Sequence, residues 1–106
     1  MLIALDYDGT YTADPGLWAH FVEVARSRNH EVHLVTMRAE SEPVRLIGCH
    51  VDRVHYTDRK AKREYMQARG LTVQIWIDDM PDFIIGSAAP RDLAENAKAG
   101  LWDEKA

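Results

Sequence analysis

LIALDYDGT, residues 2–10, is an aliphatic run that ends in two carboxylates, Asp6 and Asp8. In an extended segment residues i and i+2 point to the same side, so the two acids are expected side by side with Tyr7 facing away. At ~5 Å and an effective dielectric of ~20 their repulsion is on the order of 3 kcal/mol, so a compensating positive charge is expected beside them. The run itself reads as a buried strand, and its tip reads as the place where chemistry begins.

Aliphatic runs recur at Leu2 to Leu5, Val32 to Val35, Val51 to Tyr56 and Val73 to Ile77, with amphipathic segments between them. That alternation predicts βαβ units and a parallel sheet. Leu17, Phe21, Val24 and Ala25 fall on one helical face, Val44 and Ile47 on a second, and Tyr65, Met66 and Ala68 on a third. Pro43 after Ser41-Glu42 marks a helix start, Gly48 and Gly70 mark stops, and Thr57 or Asp58 is the expected cap of the third helix. The stretch DFIIGSAAP fits a helical turn, a short fifth strand, or one followed by the other. Beyond it, Pro90 opens a final helix, Arg91 to Ala99, which Gly100 stops.

The 106 residues suit one domain with one core, and 46% apolar with 28% charged residues is ordinary for a globular chain. No apolar stretch approaches the ~20 residues needed to span a bilayer, and no basic region precedes an apolar one at the amino end, so a cytoplasmic protein is expected. The lone Cys49 excludes an internal disulfide and a cysteine-rich zinc cluster, and reads as a small buried residue. A net charge of −4 and a pI near 5.7 argue against general nucleic-acid binding.

Ligands of open parallel sheets bind outside the carboxyl ends of the strands, so the residues just after each run are the candidates for function. Asp6 and Asp8 follow the first run, Thr36 and Arg38 the second, and Asp78, Asp79 and Asp82 the fourth. The third leads through YTDRKAKRE into a helix start rich in Arg59, Lys60, Lys62 and Arg63. So many acids gathered at one end imply a hard divalent cation held by oxygen, most simply Mg²⁺. The five histidines have no metal-binding spacing, and Asp82 beside Pro81 reads as a first-turn helix acid.

This set, in this order, resembles the haloacid dehalogenase (HAD) phosphatase superfamily over Met1 to about Asp82. Asp6-Tyr7-Asp8-Gly9-Thr10 matches the family's D-x-D-G-T, Thr36 its strand-ending hydroxyl, Lys60 or Lys62 its lysine, and Asp78-Asp79 its acidic pair. The resemblance implies an α/β fold, a three-layer α/β/α sandwich on a parallel, Rossmann-like sheet of four to five strands, in a single domain over residues 1–106. It also implies a Mg²⁺-dependent phosphatase working through an aspartyl-phosphate: Asp6 as nucleophile, Asp8 as general acid and base, Thr36 and the lysine on the phosphoryl oxygens. Lys62 is preferred over Lys60 because Tyr65 and Met66 then anchor its helix on the core. Thr10 and Arg38 are expected at the substrate, and Asp6, the Asp8 backbone carbonyl, Asp78 and Asp79 at the metal, with Asp79 as direct ligand and Asp78 outside it.

Neither gap where the family inserts a cap domain has room for one here, so an open, capless site is implied, with large phosphorylated molecules as substrates, or small ones covered by another subunit or protein. The basic run Arg59 to Arg63 would suit a nucleic-acid end. Two other classes compete. A phospho-accepting receiver domain fits poorly, because its accepting aspartate ends the third strand; a non-catalytic HAD-like module that binds metal or a partner through the same surface is the main alternative.

Overall fold

The computed structural model describes residues 1–86. Along them run β1 (Leu2–Leu5), a 3-10 turn (Tyr11–Ala13), α1 (Pro15–Ser27), β2 (Glu31–Thr36), β3 (Arg53–Tyr56), α2 (Lys62–Ala68), β4 (Ile75–Ile77) and α3 (Asp82–Ile85). The four strands form one all-parallel sheet in the order β3-β2-β1-β4. This is an α/β fold compatible with a Rossmann-like sandwich. The expected helix Arg91 to Ala99 lies outside the described residues, and the first part of DFIIGSAAP is the helical turn α3.

Alternation along the strands divides the core. Ile3, Leu5, Val32 and Leu34 cluster with Val22 and Ala25 of α1, whereas Ala4 and Val35 cluster with Met66 of α2. Leu5, Leu34 and Met66 are fully buried, each contributing about 1.5–3 kcal/mol of hydrophobic stabilisation. Among the described residues no helix is long and apolar enough to cross a membrane.

α1 begins where the sequence favours it, with the Asp14 carboxylate accepting the Leu17 N–H at 3.2 Å and Pro15 in the first turn. Its buried face differs from the expected one. Val22 and Ala25 are buried and Trp18 and Phe21 pack against the core, while Leu17 and Val24 remain 53% and 45% exposed. Two adjacent stripes share the helical period, and the one that buries carries the Trp18–Phe21 edge-to-face pair, which offers more apolar area.

The helix expected between the second and third strands is absent. Residues 37–52 run as turns and irregular chain, because backbone groups that a helix would pair internally are taken by distant side chains. Tyr56 Oη accepts the Val44 N–H, Tyr7 Oη the Arg45 N–H and Tyr11 Oη the Ile47 N–H, at 3.1, 3.1 and 3.0 Å. Arg38 in turn donates to the carbonyls of Glu42 and Pro43. Two apolar residues gave that helix little to bury, so the tyrosine contacts prevail.

α2 starts at Lys62 behind Ala61, not at a side-chain cap supplied by Thr57 or Asp58. Thr57 Oγ1 donates instead to the Lys60 carbonyl at 2.8 Å. Asp58 and Arg59 are both left-handed, with φ of 55° and 72°, and this pair swings the chain so that Lys62 enters the sheet's carboxyl end. Gly70, at φ 77°, ends the helix as expected.

His33 and His55 are stacked and buried on the face that α2 covers, with His33 Nδ1 and His55 Nε2 2.9 Å apart. Burial, with His33, Arg69 and Arg53 adding to it, lowers His55 to about 4, so it is neutral near pH 7 and serves the core.

Candidate active site

β1 passes on one side to β2 and β3, and the chain then returns to place β4 on the other side of β1. The sheet's switch point therefore lies between β1 and β4, where parallel sheets open a crevice at their carboxyl ends. Asp6 donates its N–H to the Ile77 carbonyl at 3.0 Å, so the two strands stay paired to their tips and Asp6 meets Asp78 and Asp79. Carboxylate oxygens of these three residues lie within 4.8 Å of one another.

Among the described residues one cation answers them. Lys62 Nζ donates to Asp6 Oδ1 at 2.7 Å and to Asp78 Oδ2 at 2.6 Å, with its side chain only 3% exposed. Lys60, two residues earlier, is exposed to solvent. Three acids against one ammonium leave an excess of negative charge in a buried place. Burial accordingly pushes Asp6 up from 3.8 to about 7, with Lys62 opposing and Asp79 adding to the rise. Asp78 is raised for the same first reason, against the pull of Lys62. Burial alone would lower Lys62, but Asp6 and Asp78 outweigh it, so the ammonium keeps its proton.

The turn after Asp6 is built around Gly9. Its φ is +84°, and a Cβ added there would fall inside the Asp79 carboxylate. Gly9→Ala is therefore expected to cost roughly 2–4 kcal/mol, from the left-handed backbone and the displaced acid together; an unchanged urea midpoint would refute this. Thr10 Oγ1 lies 3.0 Å from Asp6 Oδ2 and 3.2 Å from Asp79 Oδ1, and accepts the Asp79 N–H at 3.2 Å. The Thr10 hydroxyl thus ties the two halves of the acidic group together.

Asp8 is not beside Asp6 as extended chain would put it, because β1 ends at Leu5 and residues 7–10 form a turn. Its carboxylate is gripped in bidentate fashion by Arg38, with Nε to Oδ2 at 3.0 Å and Nη2 to Oδ1 at 2.9 Å. The guanidinium also lies over the Tyr7 ring, 4.9 Å from its centre. Both acids of the opening motif have a cation, but each has its own.

Thr36 is buried at the end of β2, and its hydroxyl oxygen accepts the Arg38 N–H at 3.2 Å. Its hydroxyl hydrogen is then directed elsewhere, and the residue lines the cavity. That cavity, of about 470 Å³, gathers Asp6, Asp8, Thr36, Arg38, Lys62 and Asp78. Asp79 and Thr10 are not part of this lining. Asp82 sits in the first turn of α3 and is not part of the acidic group.

The donor set fits a hard cation: Asp6, Asp78 and Asp79 offer only oxygens, close together and short of positive charge. Lys62 already occupies one oxygen each of Asp6 and Asp78, which leaves Asp79 the carboxylate without an ammonium contact. Asp8 is outside this group by its side chain.

Sequence reasoning missed the rest of the cavity wall: Met37, Glu42, Arg59, Met80 and Phe83. Arg59 gave a partial signal through its basic run, yet its guanidinium is bound to Glu42 at 3.0 and 3.1 Å and to the Met37 carbonyl at 2.7 Å. The Arg59 hydrogen bond, helped by the Ala39 N–H, holds Glu42 down at about 2.

No family model, curated protein or solved structure matches this chain.

Proposed function

We propose that this chain is a Mg²⁺-dependent phosphomonoesterase of the HAD type, acting through an aspartyl-phosphate. The observation that carries the reading is Lys62 Nζ held between Asp6 and Asp78 at the switch-point crevice, with Asp79 and Thr10 closing the group.

Asp6 is the nucleophile: a carboxylate oxygen forms a bond to phosphorus in line with the departing ester oxygen, whose bond breaks. Lys62 and Thr36 bind the remaining phosphoryl oxygens and so meet charge as it spreads over them. Asp8 gives a proton to the leaving oxygen, then takes one from the water that releases phosphate from Asp6. For that, Arg38 must release Asp8, and a phosphoryl dianion is a competing partner for the same guanidinium fork. Asp6, Asp79 and the Asp8 carbonyl, with Asp78 beside them, would hold Mg²⁺, which when bound would supply charge neutralisation for the attack on the phosphate. Between Thr10 and Thr36 the chain holds a 3-10 turn, α1 and β2, and between Thr36 and Lys62 β3 as its one regular element. We therefore read the domain as capless and its sandwich as three-layered, in a cytoplasmic setting where the Cys49 thiol stays reduced.

The test is phosphate release from para-nitrophenyl phosphate. Release is expected with Mg²⁺ and lost with a chelator; no release above an Asp6→Asn control would overturn the reading. The double ion pair of Lys62 and the Arg38 clamp on Asp8 favour one other reading, a static HAD-like module that binds metal or a partner without turnover. Mg²⁺ binding without turnover in the same assay would establish it.

A further inference from the structure

The cavity is not wholly polar. Besides Asp6, Asp8, Thr36 and Lys62, its lining includes two thioethers and an aromatic ring, Met37, Met80 and Phe83. These are built into the site. Met37 directly follows Thr36; the Met80 N–H donates to Asp78 Oδ1 at 2.9 Å; the Phe83 N–H donates to the Met80 carbonyl at 3.1 Å. The turn that positions the acidic pair thus also positions the apolar wall.

A phosphoryl group alone is much smaller than about 470 Å³, a volume in the range of small-molecule sites. The remaining space is what the rest of the substrate fills. A polyol there would set hydroxyls against two thioethers and a ring, groups that accept hydrogen bonds weakly at best, which is unfavourable. A polyanionic strand would need further free cations at the rim, but Arg59 is held by Glu42 and the Met37 carbonyl, and Arg38 is taken by Asp8 or by the phosphoryl group that displaces it. A planar apolar ring suits the wall, through stacking on Phe83 and sulfur contacts from the methionines.

We propose that the substrate's leaving group presents a planar ring to Met37, Met80 and Phe83, making these the specificity-determining residues of the site. This rests on the phosphomonoesterase reading above. The ring is either the ester-bearing ring itself or a base one sugar away from the phosphate.

Phosphonates, which cannot turn over, separate ring recognition from leaving-group reactivity. Benzylphosphonate and ethylphosphonate would be compared with Mg²⁺ present, by calorimetry and as inhibitors of para-nitrophenyl phosphate hydrolysis. Benzylphosphonate is expected to bind at least about ten-fold tighter, with the ratio falling toward one in Phe83→Ala and in Met80→Ala. Tighter binding of a nucleoside 5′-monophosphate than of ribose 5-phosphate would place the ring one sugar away, and equal binding would place it on the ester oxygen. Equal affinity of the two phosphonates in the unaltered protein, with Mg²⁺-dependent hydrolysis intact, overturns the ring site and leaves the phosphatase reading standing. A 5′-phosphorylated oligonucleotide that binds more tightly than its mononucleotide also overturns it, in favour of a nucleic-acid end. Absence of both phosphonate binding and phosphate release overturns the two readings together.

Discussion

Lys62→Met is expected to destabilise the protein by about 3–5 kcal/mol at pH 7, the usual range when one partner of a buried ion pair is removed. The side chains of Lys62, Asp6 and Asp78 are 3%, 9% and 3% exposed, so water cannot take the ammonium's place. Without it three adjacent carboxylates face one another, and Asp6 and Asp78, already raised by burial, rise further. An acid whose folded pKa lies above its unfolded value binds protons in the folded state first, so folding loses stability as pH rises between the two values. The Lys62→Met penalty should therefore shrink at pH 5, where Asp6, at about 7 even beside Lys62, holds its proton, and Mg²⁺ should restore part of it by binding only the folded form. Lys60→Met, at an exposed position, should stay within about 0.5 kcal/mol of the unaltered protein. Urea denaturation at pH 5 and 8 with and without Mg²⁺ checks all of this; a loss below about 1 kcal/mol that ignores pH would show that Lys62 is not the counter-charge of the acidic group.

The contrast between the two lysines also shows what a linear sequence holds. Strand tips are legible, because an aliphatic run followed by polar residues marks both the strand and its carboxyl end; Asp6, Thr36, Asp78 and Asp79 were placed that way. The phase of α2 is legible through Tyr65 and Met66, which favour Lys62 over Lys60, and Met66 is indeed fully buried; what no hydrophobic pattern announces is the pair of left-handed residues, Asp58 and Arg59, that turns the chain so that Lys62 enters the crevice while Lys60 meets solvent. Side chain to backbone bonds across long separations are equally hidden. Tyr7, Tyr11 and Tyr56 each reach a loop tens or a dozen residues away in sequence, and they replace the helix that Pro43 and Gly48 suggest. Arg38 and Asp8 are both visible as strand-end residues, but their bidentate pairing follows from the turn after Leu5, which ends the extended geometry assumed for the motif. The wall of Met37, Met80 and Phe83 has no motif at all, since it exists only where β2, the turn after β4 and α3 converge.

Asp6→Asn is expected to lower phosphate release by at least ~10³-fold while leaving the fold intact, because the attacking oxygen pair is lost and nothing else in the group is placed to form the covalent intermediate. The stability side of this prediction is what separates a nucleophile from a structural acid. Asp6 sits at about 7 instead of 3.8, so with no metal bound its ionisation works against folding, and stability declines as pH rises from about 4 to 7. The amide keeps the shape and removes the charge; Lys62 retains Asp78 at 2.6 Å. Above pH 7 without metal the variant should thus be at least as stable as the unaltered protein, and its stability should vary less between pH 4 and 7. Metal affinity should respond in the opposite sense: Mg²⁺ requires the ionised carboxylate, so its affinity for the unaltered protein should climb to about pH 7 and then level off, whereas Asp6→Asn should bind weakly with a flatter profile. Retained turnover in Asp6→Asn would remove Asp6 as nucleophile. A loss of more than about 2 kcal/mol at pH 8 would instead make it a structural partner of Lys62, whose removal leaves a buried cation short of charge.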